Sequence, residues 1–431
     1  MALGGRPILR NQQADGVVVR RHRPDYLIVL YMGILMLIGL ITMYAIGPQR
    51  ANVLNDAYGY DYSNTYFFIK QTISLLLSLV AFGLLAVIPY TWIYRFSGKV
   101  LALSLIACGV LFLAGLAHLS IAPASLGAVR WFNLGALGSI QPAEMVKFGM
   151  LIYVATFLGM RVKQGKVNDR KETLIPLAII LGIALLFIVV IQKDLGTGVA
   201  LTAIVATMLM VAGVSKKIGL FALIALLFVG IIFILIAPHR ISRITTYLQG
   251  DNGTSTNSAS NYQINNAEIA LGTGGLFGVG IGNSISATGY LPEATNDSVF
   301  AVMGEMFGFV GVVVILLIFV ALLMRLLRLM DHLVDMRLKL LMAGVFGWFG
   351  SHVILNVAAI IGVFPLTGIT LPLLSFGGTS MIFITAALGL VFQVSRYTIH
   401  TSRLKEVESY EDTRGRRGVR RTRYAGRSGA A

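Results

Sequence analysis

Apolar runs of 17 residues or more recur along the chain, separated by connections that gather Lys and Arg or Gly, Pro and Asn. A helix of about 20 apolar residues crosses a bilayer core of ~30 Å. On that length criterion the pattern predicts ten spans, near 26–46, 69–88, 100–118, 142–158, 174–191, 197–214, 219–237, 298–324, 339–363 and 378–395. The runs are continuous rather than alternating, which indicates helices and not the strands of an outer-membrane barrel. The expected fold is an all-α integral membrane protein, a polytopic bundle of about ten transmembrane helices with a large extracytoplasmic loop between helices 7 and 8.

Around these spans the chain divides into three regions. Residues 1–25 are polar and basic and lack the apolar stretch of a cleavable signal, so Tyr26 to Ile46 reads as a retained first span. Residues 26–395 form the membrane domain. Residues 396–431 hold Gly, Arg and Ser without apolar periodicity, the composition of a disordered tail. The longest outer connection, about 238–296, starts with the low-complexity stretch "QGDNGTSTNSASN". It continues as "YQINNAEIALGTGGLFGVGIGNS", a short helical pattern running into glycines spaced for turns, a flexible or re-entrant hinge. No dinucleotide or P-loop glycine motif fits it.

Composition narrows the class. The chain is 56% hydrophobic and 13% charged, too apolar for a soluble domain of 431 residues. Cys108 is its single cysteine and lies in an apolar run, which excludes an intrachain disulfide framework and a cysteine metal site. Of the 35 basic residues, 28 fall in segments 1–25, 89–99, 159–173, 214–218, 325–340 and 396–431. Basic loops are retained in the cytoplasm, so both termini are expected there. The net charge of +16 therefore faces anionic membrane lipid, and no nucleic-acid partner is expected.

The residues able to carry chemistry lie towards the other side: Arg130, Glu144, Lys147, Lys193, Asp194, Arg240, Arg243, Glu293, Asp297 and Glu305. A charge at the hydrocarbon centre costs about 2.5–3.5 kcal/mol on insertion scales, so such groups pair or line a cavity. Glu144 and Lys147 are three apart on one helix face after Pro142, as a salt-bridged or snorkelling pair would be. Trp131 has the character of an interface anchor, and "QKDLGTG" that of a solvated turn. Asp297 could cap the eighth span; Glu305, eight residues on, could face the same groove. Gly304 and Gly308 would pack that helix closely on a neighbour. One chemistry suits these groups together. A lipid-linked pyrophosphate leaves its tail in the bilayer while Arg and Lys neutralise its phosphates, and a carboxylate deprotonates an acceptor hydroxyl. A divalent cation, Mg or Mn, could share the pyrophosphate load, although no metal motif is present and no cofactor is certain.

At these residues the chain resembles the SEDS family (shape, elongation, division and sporulation), the FtsW/RodA peptidoglycan glycosyltransferases. The likeness covers residues 25–400 through six blocks in register: "RWFNLGALGSIQPAEMVKF", "QKDLGTGVAL", "PHRISRI", "YQINNAEIALGTGGLFGVGIGNS", "YLPEATNDSVFAVMGE" and "LTGITLPLLSFGGTS". The resemblance implies polymerisation of lipid II at the outer membrane face, with a class B penicillin-binding protein as transpeptidase partner and other divisome membrane proteins nearby. It puts the essential acid of the family on Asp297. It puts Arg130, Trp131, Gln141, Glu144, Lys147, Arg243, Glu293, Ser375, Gly377, Gly378 and Ser380 in the substrate groove or its support, with Lys193, Asp194 and Glu305 as further support. Ala143, Lys193, Ser298 and Met306 depart from the family pattern. The glycine block and the long basic tail look more like the division member than the elongation member. The expected location is the cytoplasmic membrane at the division septum. Rival readings are a lipid II flippase, an elongation-type polymerase and a non-catalytic divisome scaffold.

Overall fold

The computed structural model describes residues 23–125, 128–135, 138–215, 217 and 259–398. The predicted seventh span, Arg240, Arg243, residues 1–22 and residues 399–431 lie outside the described residues. Among the described residues, ten helices longer than a single turn follow in chain order: α1 Tyr26–Tyr58, α2 Tyr66–Val87, α3 Tyr90–Leu116, α4 Pro142–Lys163, α5 Arg170–Ile191, α6 Leu195–Val211, α7 Ala259–Thr273, α8 Val299–Asp331, α9 Met336–Ile360 and α10 Gly378–Val394. Eight of them are long and apolar enough to cross a membrane, and α6 is a shorter apolar helix. Two small hairpins, β1 (Ala124–Ser125) with β2 (Ala128–Val129) and β3 (Phe132–Asn133) with β4 (Ser139–Ile140), bridge α3 to α4.

The helix ends show what hydropathy alone passes over. Asp25 caps α1 by accepting from the Leu27 N–H at 3.0 Å, and Gly59, with φ 68°, closes it through an N–H donated to the Asn55 carbonyl. The helix thus runs well beyond the predicted end at residue 46, past Pro48, through a polar segment. That extension has a tertiary partner: Gln49 donates to the Gly282 carbonyl at 3.1 Å, and Val53 packs beside Gly289. Likewise α3 begins at Tyr90 rather than near 100, because Arg95 and Lys99 lie on the helix without interrupting it.

The centre of the bundle is α9, which packs on α4, α6, α7, α8 and α10, while α10 lies along α2. Small residues permit the close approaches: a Cβ on Gly347 would stand 2.8 Å from the Ala203 carbonyl, and one on Gly389 2.6 Å from the Phe82 carbonyl.

The eighth span departs from a packed continuous helix. Gly308 has φ 68° and ψ −174°, so α8 is broken there. The glycine-rich segment after α7 fills the break. Val279 and Gly280 donate to the carbonyls of Glu305 and Met306 at 2.9 and 3.1 Å, while Phe309 and Val310 donate to Gly275 and Leu276 at 2.9 and 3.1 Å. These are the backbone groups that pair 305 with 309 and 306 with 310 in an unbroken helix, so each lost bond is replaced by one to the loop. Unpaired backbone groups in lipid cost several kcal/mol each, which is why the loop and the break occur together.

Candidate functional site

The turn before α8 holds Asp297 from three directions. Asn356 of α9 donates to the Asp297 main-chain carbonyl at 2.7 Å. Gln263 of α7 donates to Ser298 Oγ at 2.8 Å and lies 3.5 Å from Asp297 Oδ1. Phe376, just before α10, donates its N–H to the Thr295 carbonyl at 2.8 Å. Within the turn, Asn296 and Ser298 donate their N–H groups to the Glu293 carbonyl at 2.9 and 3.2 Å, and Glu293 sits at φ 51° with its side chain exposed and bonded to the Asn296 amide. Asp297 is partly exposed. It does not stand at the helix cap: Ser298 is the N-cap, without a side-chain capping bond.

The two acids of the eighth span are not turned to one groove. Glu305 is 2% exposed and its carboxylate accepts from Ser284 Oγ at 2.5 Å and from the N–H groups of Ile285 and Ser286 at 3.0 and 3.2 Å. Its charge is met by the glycine-rich loop, so it acts as the anchor of that loop.

A second wall comes from the segment between α9 and α10. Ser375 Oγ accepts the Leu371 N–H at 2.8 Å, and Ser375 donates its own N–H to the Leu371 carbonyl at 3.1 Å. Leu373 adopts φ 65° in this tight turn. A shallow recess lies beside it, lined by Thr370, Ser375, Gly377 and Ser380. Gly378 starts α10 at its edge.

The third group lies along α4 and the α5–α6 junction. Arg130 donates through Nε to the Gln192 carbonyl and through Nη2 to the Lys193 carbonyl, both at 2.9 Å. Asp194 caps α6 by accepting the Thr197 N–H on Oδ1 at 2.9 Å, while its Oδ2 accepts the Thr197 hydroxyl at 2.8 Å and the Gln141 amide at 3.0 Å. The junction is therefore a bonded turn, with Lys193 exposed at φ 54°. Trp131 beside it is partly buried. Gly196 brings α6 against the second wall: a Cβ there would stand 2.7 Å from the Thr367 carbonyl.

Deeper on α4, Lys147 Nζ lies 2.7 Å from Glu144 Oε1, the pair that the three-residue spacing predicts. Lys147 is 0% exposed, so its ammonium is not presented to a ligand and acts on its neighbours instead. Those neighbours are His352 Nε2 at 3.1 Å and the Trp348 ring, with its centroid at 5.1 Å. Sequence reasoning missed His352, Asn356 and Gln263. The signal was there for the first two, polar side chains four apart within an apolar span. Among the described residues no three His, Cys, Asp or Glu side chains gather in a way that could hold a metal ion, and no step is assigned to one.

Residues 25–400 match the family model FtsW/RodA/SpoVE, described as cell cycle protein. The chain belongs to that family. Over 387 residues it is 33% identical to stage V sporulation protein E of Bacillus subtilis, covering 89% of this chain and 100% of that one. It is 32% identical over 381 residues to the probable peptidoglycan glycosyltransferase FtsW of Taylorella equigenitalis, covering 84% and 94% of the two chains. Among solved structures it superimposes with a TM-score of 0.65 and 26% identity on a chain from a peptidoglycan synthase complex that coordinates polymerization and crosslinking, covering 86% of this chain and 98% of that one. The rod shape determining protein RodA of Thermus thermophilus shares the fold, with a TM-score of 0.61 at 24% identity over 88% of this chain and 98% of that one. Family membership and a polytopic helical membrane architecture follow together.

Proposed function

We propose that the protein is a peptidoglycan glycosyltransferase that polymerises lipid II into glycan strands at the outer face of the cytoplasmic membrane, for septal synthesis in division. The FtsW relatives bear the name of this activity. The observation that carries the assignment of the base is Asp297 itself: a partly exposed carboxylate on a turn fixed by α7, α9 and the segment before α10. Such fixation is what a general base needs, since its reach to a hydroxyl must be set before the reaction.

In this reading Asp297 takes the proton of the acceptor sugar hydroxyl as its oxygen attacks the anomeric carbon of the donor. The bond from that carbon to the pyrophosphate oxygen breaks with inversion, and the diphosphate leaves as an anion that needs no second acid. The proton then passes from Asp297 to water. Arg130 and Arg243 stabilise the departing diphosphate, while the buried Lys147 acts through its neighbours Glu144 and His352. Ser375, Gly377 and Ser380 stand at the edge of the groove beside the Asp297 turn and contribute to its wall. The basic loops face the cytoplasm with both termini, and a class B penicillin-binding protein is the crosslinking partner; the likeness to a chain from a synthase complex supports that pairing. The test is a glycan-strand assay with lipid II and purified protein, alone and with its partner. Asp297→Ala and Asp297→Asn should give no product while remaining monodisperse. Full strand synthesis by either variant removes the proposed base.

A further inference from the structure

Trp348, His352 and Asn356 stand at intervals of four along α9, so they form one stripe on successive turns, spanning about 12 Å of helix. Trp348 is the first, under the Lys147 ammonium. His352 is the second. Its Nε2 lies 3.1 Å from Lys147 Nζ and its Nδ1 lies 3.2 Å from the Thr370 carbonyl. A lysine ammonium only donates, so Nε2 must accept; the ring proton then sits on Nδ1 and is donated to Thr370. The neighbours thus dictate a single tautomer.

Asn356 is the third. Its Nδ2 donates both hydrogens, one to the Asp297 carbonyl and one to the Ile369 carbonyl, each at 2.7 Å. A flipped amide would aim its oxygen at two carbonyl oxygens, so the orientation is also dictated. His352 and Asn356 are 3% and 2% exposed, and the carbonyls they hold belong to the consecutive residues Ile369 and Thr370. An unbroken series of contacts therefore runs from Glu144 and Lys147 through His352, the 369–370 backbone and Asn356 to the main chain of Asp297.

We infer that His352 and Asn356 are positioning residues that join the buried Glu144–Lys147 pair to the Asp297 turn and hold the recess wall in register with it. The inference rests on the reading of Asp297 as the base. It gives the buried lysine a task that burial otherwise denies it, since its charge orients His352 and through it the backbone that Asn356 shares with Asp297. A misplacement on the order of 1 Å costs a reaction about 100-fold, so the two residues act on turnover without touching substrate.

The test uses the full chain in lipid nanodiscs with lipid II, measuring kcat, KM and thermal unfolding for H352L, H352Q, N356L, N356D and D297N. Expected for H352L and N356L is a fall in kcat of about 10- to 100-fold per folded molecule, with KM within about twofold. H352Q retains an acceptor for Lys147 and a donor for Thr370, and should keep at least about half of wild-type kcat. N356D, isosteric but with at most one donor in place of two, cannot hold both carbonyls, should fall in kcat as N356L does, and covers the case in which the leucine variant fails to fold. Wild-type kcat in folded N356D or H352L, or H352Q no better than H352L, overturns the inference. D297N separates the two claims: if it is active, the base assignment fails, whereas an inactive D297N beside fully active His352 and Asn356 variants defeats the positioning role alone.

Discussion

Lys147 and Glu144 form an ion pair at 2.7 Å with side-chain exposures of 0% and 4%, enclosed in the bundle and three residues apart on α4. Removing one partner of such a pair leaves an uncompensated charge and costs about 3–5 kcal/mol, whereas removing both charges together is far milder. K147M is therefore expected to lose more stability than the double variant E144Q/K147M. Thermal unfolding of the two in the same detergent decides it: a double variant as unstable as K147M would show that the charge itself is not the problem.

The junction between the glycine-rich loop and the broken α8 predicts a ranking of glycine substitutions. A Cβ on Gly278 would stand 2.2 Å from the Met306 carbonyl, and one on Gly308 2.3 Å from the Gly278 nitrogen, both at positive φ. Gly282 also has positive φ, 87°, but nothing lies within 4 Å of its Cβ position. G282A should cost only the left-handed backbone penalty of about 1–2 kcal/mol. G278A and G308A should cost more and expose residues 275–283 to protease. Equal unfolding temperatures for the three alanine variants would contradict the stitched geometry.

Arg130 makes a fork onto two backbone carbonyls, which lysine cannot reproduce. R130K retains the positive charge yet should lower strand synthesis by about 10-fold, because the α5–α6 turn loses a fixed contact to the hairpins. Wild-type rates in R130K would mean that charge alone matters at this position.

Asp169 lies outside the membrane-spanning helices and accepts the N–H groups of Glu172 and Lys171 at 2.9 and 2.8 Å. The Glu172 N–H first, then that of Lys171 and the cations Lys166 and Arg161, hold its carboxyl below the ordinary carboxylate range. A depressed carboxylate stabilises the fold above its unfolded value of about 3.9, and that stability is lost as pH falls through the lower folded value. The difference in unfolding temperature between wild type and D169N should therefore be present at neutral pH and shrink in acid below about pH 4. A constant difference across that range would leave the proton linkage without support.

Hydropathy along the chain determined the helical membrane class and the position of most spans, because a lipid-embedded helix must satisfy its own backbone and be apolar over its own length. Both demands are local. The Glu144–Lys147 pair was legible for the same reason, since helix geometry makes residues three apart neighbours whatever surrounds them. What surrounds them was decided by tertiary structure: His352, the partner that fixes Lys147, is 205 positions away, and Asn356 reaches Asp297 across 59. Gly308 reads as a packing glycine in a continuous span, and only the arrival of residues 275–280, with backbone groups to replace the lost helical bonds, makes a break there stable in lipid. Side-chain identity and spacing along one helix could announce the participants. Their separation from solvent, and the order in which they touch, arose only when distant helices packed.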